Sequence, residues 1–122
     1  MSATSVYGDH KGEWVNEESE TNPKSTSGIG RLEAEKSWIT FTANSKLPFQ
    51  IFRLSGIYSN QKNILARLKS GNVNLINKKN QFFSRIHVED IAGVLTISLK
   101  NNSRGTLKRS YKFRKRPVKV PE

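Results

Sequence analysis

Cysteine is absent from this 122-residue chain, which excludes a disulfide framework and any thiolate metal site and fits a reducing compartment. The two histidines, His10 and His87, lack a repeated acidic partner at ligand spacing, so no metal centre is expected. No apolar run approaches the length of a membrane-spanning helix, and Met1-Ser2-Ala3-Thr4 lacks the basic-then-apolar pattern of a targeting segment. These absences read as a cytoplasmic chain with no membrane partner. Hydrophobic residues make up 34% of the chain and aromatics 9%, a lean supply that supports one small core and leaves much of the surface wet.

Acid is scarce as well. The chain has 21 Lys and Arg against 10 Asp and Glu, a formal charge of +11. Residues 1–99 are nearly balanced, with 12 of the bases and 9 of the acids, whereas residues 100–122 hold nine bases (Lys100, Arg104, Lys108, Arg109, Lys112, Arg114, Lys115, Arg116, Lys119) against Glu122 alone. The basicity is therefore mostly a tail. Its few large apolar residues, Leu107, Tyr111, Phe113, Val118 and Val120, are surrounded by charge, so disorder is expected beyond residue 100.

Local patterning supplies the elements. Residues 1–7 read as the end of a buried strand stopped by Gly8-Asp9, and residues 9–24 as a polar, acidic surface loop closed by Pro23. A helix starts after Ser25 or Ser27, either of which can cap it, with Ala34, Trp38 and Phe41 on one face. Leu47 to Leu54 has the aromatic and β-branched content of a strand buried on both faces, ended by Ser55-Gly56. Ile64, Leu65 and Leu68 mark a short helix with Gly71 at its left-handed cap. Val73 and Leu75 alternate with polar neighbours, residues 77–80 form a turn, and Phe82 to Ile86 resumes extended structure. A last helix runs from about Val88 to Lys100, with Ile91, Val94, Leu95 and Leu99 at helical spacing and Glu89 and Asp90 favoured by the dipole of its first turn.

Three segments then stand in a fixed order: Thr4-Ser5-Val6-Tyr7-Gly8-Asp9, Phe52-Arg53-Leu54-Ser55-Gly56-Ile57-Tyr58, and Phe83-Ser84-Arg85-Ile86-His87-Val88-Glu89-Asp90-Ile91-Ala92. Their order and spacing resemble the second half of an NAD(P)-dependent epimerase/dehydratase of the extended or atypical short-chain dehydrogenase/reductase type, over roughly residues 1–100. The resemblance implies an α/β chain, a partial Rossmann-like doubly wound sheet made of the second half only, followed by a disordered basic C-terminal tail. The implied domains are 1–100, lacking the dinucleotide-binding half, and 101–122. It also implies NAD(P) as the ancestral cofactor and a sugar-nucleotide or related alcohol or carbonyl as the substrate. The glycine turn that holds the pyrophosphate lies on the first strand of such folds, so this chain is not expected to bind the cofactor by itself, and a partner chain supplying the first half is expected.

Arg53 matches the arginine on the strand before the family's turn, with Gly56 where asparagine often stands, and Arg85 to Asp90 resembles its strand-to-helix step beside the substrate cleft. Arg53, Arg85 and His87 are thus substrate-cleft candidates, although architectural roles rank first for them. The family's chemistry needs a tyrosine with a lysine four residues on along a helix, where the ammonium lowers the phenol's pKa. With Glu35 on the glutamate that commonly follows that lysine, these positions fall at Ser27 and Arg31. Neither can substitute, because a serine hydroxyl is a far weaker acid than a phenol and arginine keeps its proton. The family's catalytic serine or threonine would fall near Ala3, leaving Thr4, Ser5 and Tyr7 as weak catalytic candidates, and the chain is expected to be inactive alone.

Other patterns read as chance. Tyr7–Lys11, Tyr58–Lys62 and Tyr111–Lys115 share the family's spacing, but none lies on a patterned helix. Gly28-x-Gly30 has Glu33 where a third glycine belongs and no preceding strand. Ser5, Asp9 and His10 name a hydrolase triad without a nucleophile elbow. The alternative function is a small basic nucleic-acid-binding protein using residues 104–119, where Tyr111 and Phe113 interleave the charge; weak, nonspecific affinity follows from electrostatics in either case. A half-sheet also predicts open edges and an uncovered apolar face around Ile51, Leu54 and Val94.

Overall fold

The computed structural model describes residues 1–45, 47, 49–71 and 82–101. The basic tail, the alternation at Val73 and Leu75, the turn at 77–80 and the Tyr111–Lys115 pair lie outside the described residues. Strand β1 (Ser2–Ala3) runs parallel to β2 (Arg53–Leu54), with Ser2 opposite Arg53 and Ala3 opposite Leu54. After the single buried residue Ser55, β3 (Gly56–Tyr58) runs parallel to β4 (Arg85–His87), pairing Gly56 with Arg85, Ile57 with Ile86 and Tyr58 with His87. Helices α1 (Thr26–Ser45), α2 (Ile64–Lys69) and α3 (Val88–Lys100) complete a mixed α/β arrangement of small parallel sheets.

The strands are shorter than expected. Only Ser2–Ala3 of the first segment pairs, and Thr4–Tyr7 then tightens into a 3-10 turn that buries Val6 and Tyr7. Gly8 ends that turn at φ +71°, where a Cβ would overlap the Asn22 carbonyl oxygen, so only glycine fits. Of the strand expected over Leu47 to Leu54, Ile51 and Phe52 are buried, but only Arg53 and Leu54 join the ladder with β1, and Leu47 is exposed. Phe49 is drawn instead to helix α1, where its ring stacks on Trp38 at 6.0 Å. The last extended segment likewise pairs only over Arg85–His87.

Ser25 caps α1, its hydroxyl accepting from the Gly28 amide at 3.1 Å. The face of this helix is a correction to the sequence reading. Trp38 and Phe41 are 55% and 56% exposed, and the residues turned inward are Gly28, Leu32, Glu35, Ile39 and Thr42. Two demands select this face. Gly28 permits close approach, since a Cβ there would stand 2.8 Å from the Ser5 carbonyl oxygen, and Glu35 meets the guanidinium that β2 delivers.

Helix α3 follows the reading closely, with Ile91 buried and Val94 and Leu95 half-buried, while Leu99 points to water and Ser98 takes its place inward, bonding Gln50. Phe52, Leu54, Ile86, Ile91, Val94 and Leu95 enclose a void of only about 10 Å³. Ile51 is 9% exposed. Helix α3 covers part of the apolar face expected to be open, leaving Leu54 and Val94 half-buried, and large apolar side chains are exposed on α1, α2, β3 and α3 itself. Among the described residues no helix is long and apolar enough to cross a membrane.

Glu35 and Arg53 form a two-pronged ion pair, with Nε–Oε1 3.0 Å, Nε–Oε2 3.2 Å and Nη2–Oε2 2.7 Å, and side chains 4% and 14% exposed. Removing one member strands a buried charge, at a cost of about 3–5 kcal/mol, whereas replacing both by apolar groups of similar volume costs far less. In urea unfolding, Glu35→Ala and Arg53→Ala are each expected to destabilise by about that amount, and Glu35→Met with Arg53→Leu by much less than their sum. Additive losses would count against the pair as the link between α1 and β2.

Candidate functional site

Two groups of candidate residues assemble, one around β1 and α1 and one on β3 and β4. The first surrounds the end of β1. Tyr7 is buried in the 3-10 turn with the Arg53 guanidinium over its ring, 4.9 Å from the centroid. Burial pulls the Arg53 pKa down, but hydrogen bonds to Glu35 and Tyr7 more than reverse this, so its net direction is up and it remains charged. With its guanidinium committed to Glu35 and Tyr7, Arg53 holds the fold together at this position.

Around this centre, Thr4 is half-buried, and Ser5 is exposed with its carbonyl against Gly28 of α1. The turn after β1 therefore meets the first turns of α1. Ser27 and Arg31 both stand there exposed, so these positions lie on the helix that packs against the 3-10 turn. His10 Nε2 lies 3.0 Å from the Tyr7 carbonyl and 3.1 Å from the Glu20 carbonyl, and Asp9 accepts from the Lys11 amide at 2.8 Å. Because Nε2 faces two acceptors, it carries the proton and clips the loop. Asp9 and His10 thus serve the backbone, and a hydrolase triad with Ser5 is not assembled. Tyr7 ends a 3-10 turn and Lys11 has φ +51°, so their spacing makes no helical pair.

The second group lies on β3 and β4. Ligands of open α/β sheets bind beyond the carboxyl ends of the strands, and the last residues of these two are Tyr58 and His87. Their rings meet edge to face at 5.0 Å. His87 Nδ1 accepts from the Glu89 amide at 3.3 Å, capping α3 and leaving Nε2 as the proton-bearing nitrogen of the neutral ring. Arg85 is exposed and lies across Gly56, where a Cβ would stand 3.7 Å from its Cγ and Nη1. Beside it opens a groove of about 480 Å³ reached also by Lys62 and Arg67. Sequence reasoning missed these two cations. Lys62 had been weighed only as the partner of Tyr58, which sits on a strand and not on a helix with it. The signal for them was positive charge flanking the Asn63-capped start of α2.

The step from β4 into α3 does not fit a dinucleotide pyrophosphate: the first turn of α3 carries Glu89 and Asp90, and carboxylates there oppose an anion at the helix N-terminus. Gly28 and Gly30 lie inside α1 and form no strand-to-helix turn. No group of three or more His, Asp or Glu able to hold a metal ion occurs among the described residues.

No family profile and no curated protein matches the chain. Solved structures do. A conserved protein of unknown function from Silicibacter pomeroyi is 41% identical, with a TM-score of 0.76 over 92% of this chain and 38% of its own. MoeE5, solved with UDP-glucose and NAD, is 23% identical with a TM-score of 0.77, over 91% of this chain and 40% of its own. A Methylobacillus flagellatus protein described as an NAD-dependent epimerase/dehydratase is 29% identical with a TM-score of 0.67, over 90% of this chain and 38% of its own. The chain spans about two-fifths of the length of the structures it matches.

The cap assigned to His87 can be tested alone. His87→Ala is expected to cost about 1 kcal/mol in thermal unfolding, the usual loss of an N-cap, and His87→Asn to recover most of it. Equal destabilisation by both would mean that ring packing on Tyr58, and not the cap, is what His87 contributes.

Proposed function

We propose, for a chain whose fold is that of the NAD-dependent epimerase/dehydratases over about 90% of its length, that it forms the substrate side of such an oxidoreductase and does not turn over alone. The observation that carries this reading is the meeting of the turn after β1 with α1. It is here that the resemblance locates a catalytic hydroxyl, phenol and ammonium, and the residues present are Ala3 with Thr4 and Ser5 beside it, Ser27 and Arg31. None of them supplies an acid of phenolic strength that can exchange its proton near neutral pH.

On this reading residues 1–100 act as the functional unit, and a second polypeptide supplies the nicotinamide cofactor with its glycine-rich turn. The cleft would then be completed from this chain by the carboxyl end of β4 at His87, with Arg85 two residues earlier on the same strand and Arg53 on β2 as a positioning residue. MoeE5 was solved with UDP-glucose and NAD, which makes a sugar nucleotide or a related alcohol or carbonyl the substrate class to examine first.

Fluorescence titration of NADH and NADPH into the purified chain is expected to show no saturable quenching, and the chain no nicotinamide-dependent oxidation of UDP-glucose. Saturable binding displaced by AMP would overturn the reading, because it would locate an adenine-ribose site on the residues present.

A further inference from the structure

The groove beside β3 and β4 has a lining with a specific chemical bias. Among the described residues its charged ones are Lys62, Arg67 and Arg85, and none of those lining it is a carboxylate. None of the three forms an ion pair among the described residues. Three cations around one concavity raise the local positive potential and the concentration of anions within it.

The backbone that carries these cations is also held in place. Ser59 and Lys62 exchange two bonds, the Ser59 amide to the Lys62 carbonyl at 3.0 Å and the Lys62 amide to the Ser59 hydroxyl at 3.0 Å. Arg85 rests across Gly56, with its guanidinium 5.8 Å from the centre of the Phe83 ring. Arg67 projects from α2, whose start is fixed by the Asn63 cap.

The neutral lining decides what the anion is attached to. Ile57 and Ile64 are 54% and 58% exposed, and Ala66 lies beside them. Asn63 has little capacity left, because its Oδ1 accepts from the Ala66 amide at 2.9 Å and its Nδ2 donates to the Ser59 and Asn60 carbonyls at 3.2 and 2.8 Å. Ser70 donates to the Arg67 carbonyl at 2.8 Å. Among the described residues that leaves Gln61 as the one neutral lining side chain with its amide free to meet a hydroxyl, and a polyhydroxylated body would lay its other hydroxyls on isoleucine, leaving polar groups desolvated. An alkyl or similar apolar body would gain from the same wall.

From this we propose that the groove binds an organic phosphate with an apolar body, the phosphate between Lys62, Arg67 and Arg85 and the body on Ile57, Ile64 and Ala66. The inference stands on the groove alone and goes beyond the oxidoreductase reading, so a failure of either leaves the other intact. A doubly charged phosphate suits three cations better than a single carboxylate.

Calorimetric titration of the full chain at physiological salt, with inorganic phosphate, ethyl, butyl and hexyl phosphate, glucose 1-phosphate and hexanoate, tests it. Affinity is expected to rise about threefold or more for each methylene that reaches the isoleucines, with hexyl phosphate above both glucose 1-phosphate and hexanoate. Arg67→Gln and Lys62→Gln, both at exposed positions, should each weaken every phosphate several-fold, and Lys36→Gln on α1 should not. Ile64→Ser should flatten the dependence on chain length while sparing inorganic phosphate. Phosphatidylcholine vesicles containing phosphatidic acid separate a lipid headgroup from a free ester: the soluble ester is expected to bind, with no greater recruitment to these vesicles than to ones carrying phosphatidylserine at equal charge. Absence of saturable binding, glucose 1-phosphate binding as tightly as hexyl phosphate, or Lys36→Gln weakening phosphate as much as Arg67→Gln would each overturn the proposal.

Discussion

Arg53 leaves the end of a two-residue parallel strand with its guanidinium largely withdrawn from water, and what surrounds it is arranged to keep that charge satisfied. Glu35 supplies the carboxylate from the inner face of α1, and the Tyr7 ring lies beneath the same guanidinium. One side chain thereby joins three parts of the chain: the second strand, the long helix and the turn after the first strand. A ladder this short holds little by itself. The ion pair sets the rotation of α1, and that rotation places Gly28 against Ser5 and turns Trp38 and Phe41 outward.

Charge organises the opposite side differently. The entrance to α3 is acidic and capped by His87, while the described residues that line the groove beside α2 and β3 include cations and no acids. The acidic start of α3 disfavours an anion there, and the cations of the groove favour one beside α2 and β3. The chain matches about two-fifths of each of the larger structures.

The apolar surface adds a second constraint. The core between β2, β4 and α3 is closed almost without void, whereas Trp38 and Phe41 on α1 and Ile64, Leu65 and Leu68 on α2 are more than half exposed. Gly28 on the inner face of α1 fits close approach to the 3-10 turn, and outside it Trp38 meets Phe41 edge to face and stacks on Phe49.

The sequence alone determined the existence and limits of the helices, because their signals are local. Ser25 and Asn63 cap by side-chain oxygens, Gly71 accepts φ +71°, and the spacing of Ile91, Val94 and Leu95 makes one face. It also carried the order of segments that resembles the epimerase/dehydratases, since that order is a property of the chain. Periodicity could not tell which face of α1 is inside, because a burial rule ranks Trp38 above Glu35 and is blind to an arginine arriving from 18 positions away. Strand extent, the partial covering of the Ile51 and Leu54 region by α3, and the convergence of Lys62 and Arg67 with Arg85 were likewise decided only by tertiary structure. Each depends on residues distant in the chain, whose pairing energy exists only after the segments meet.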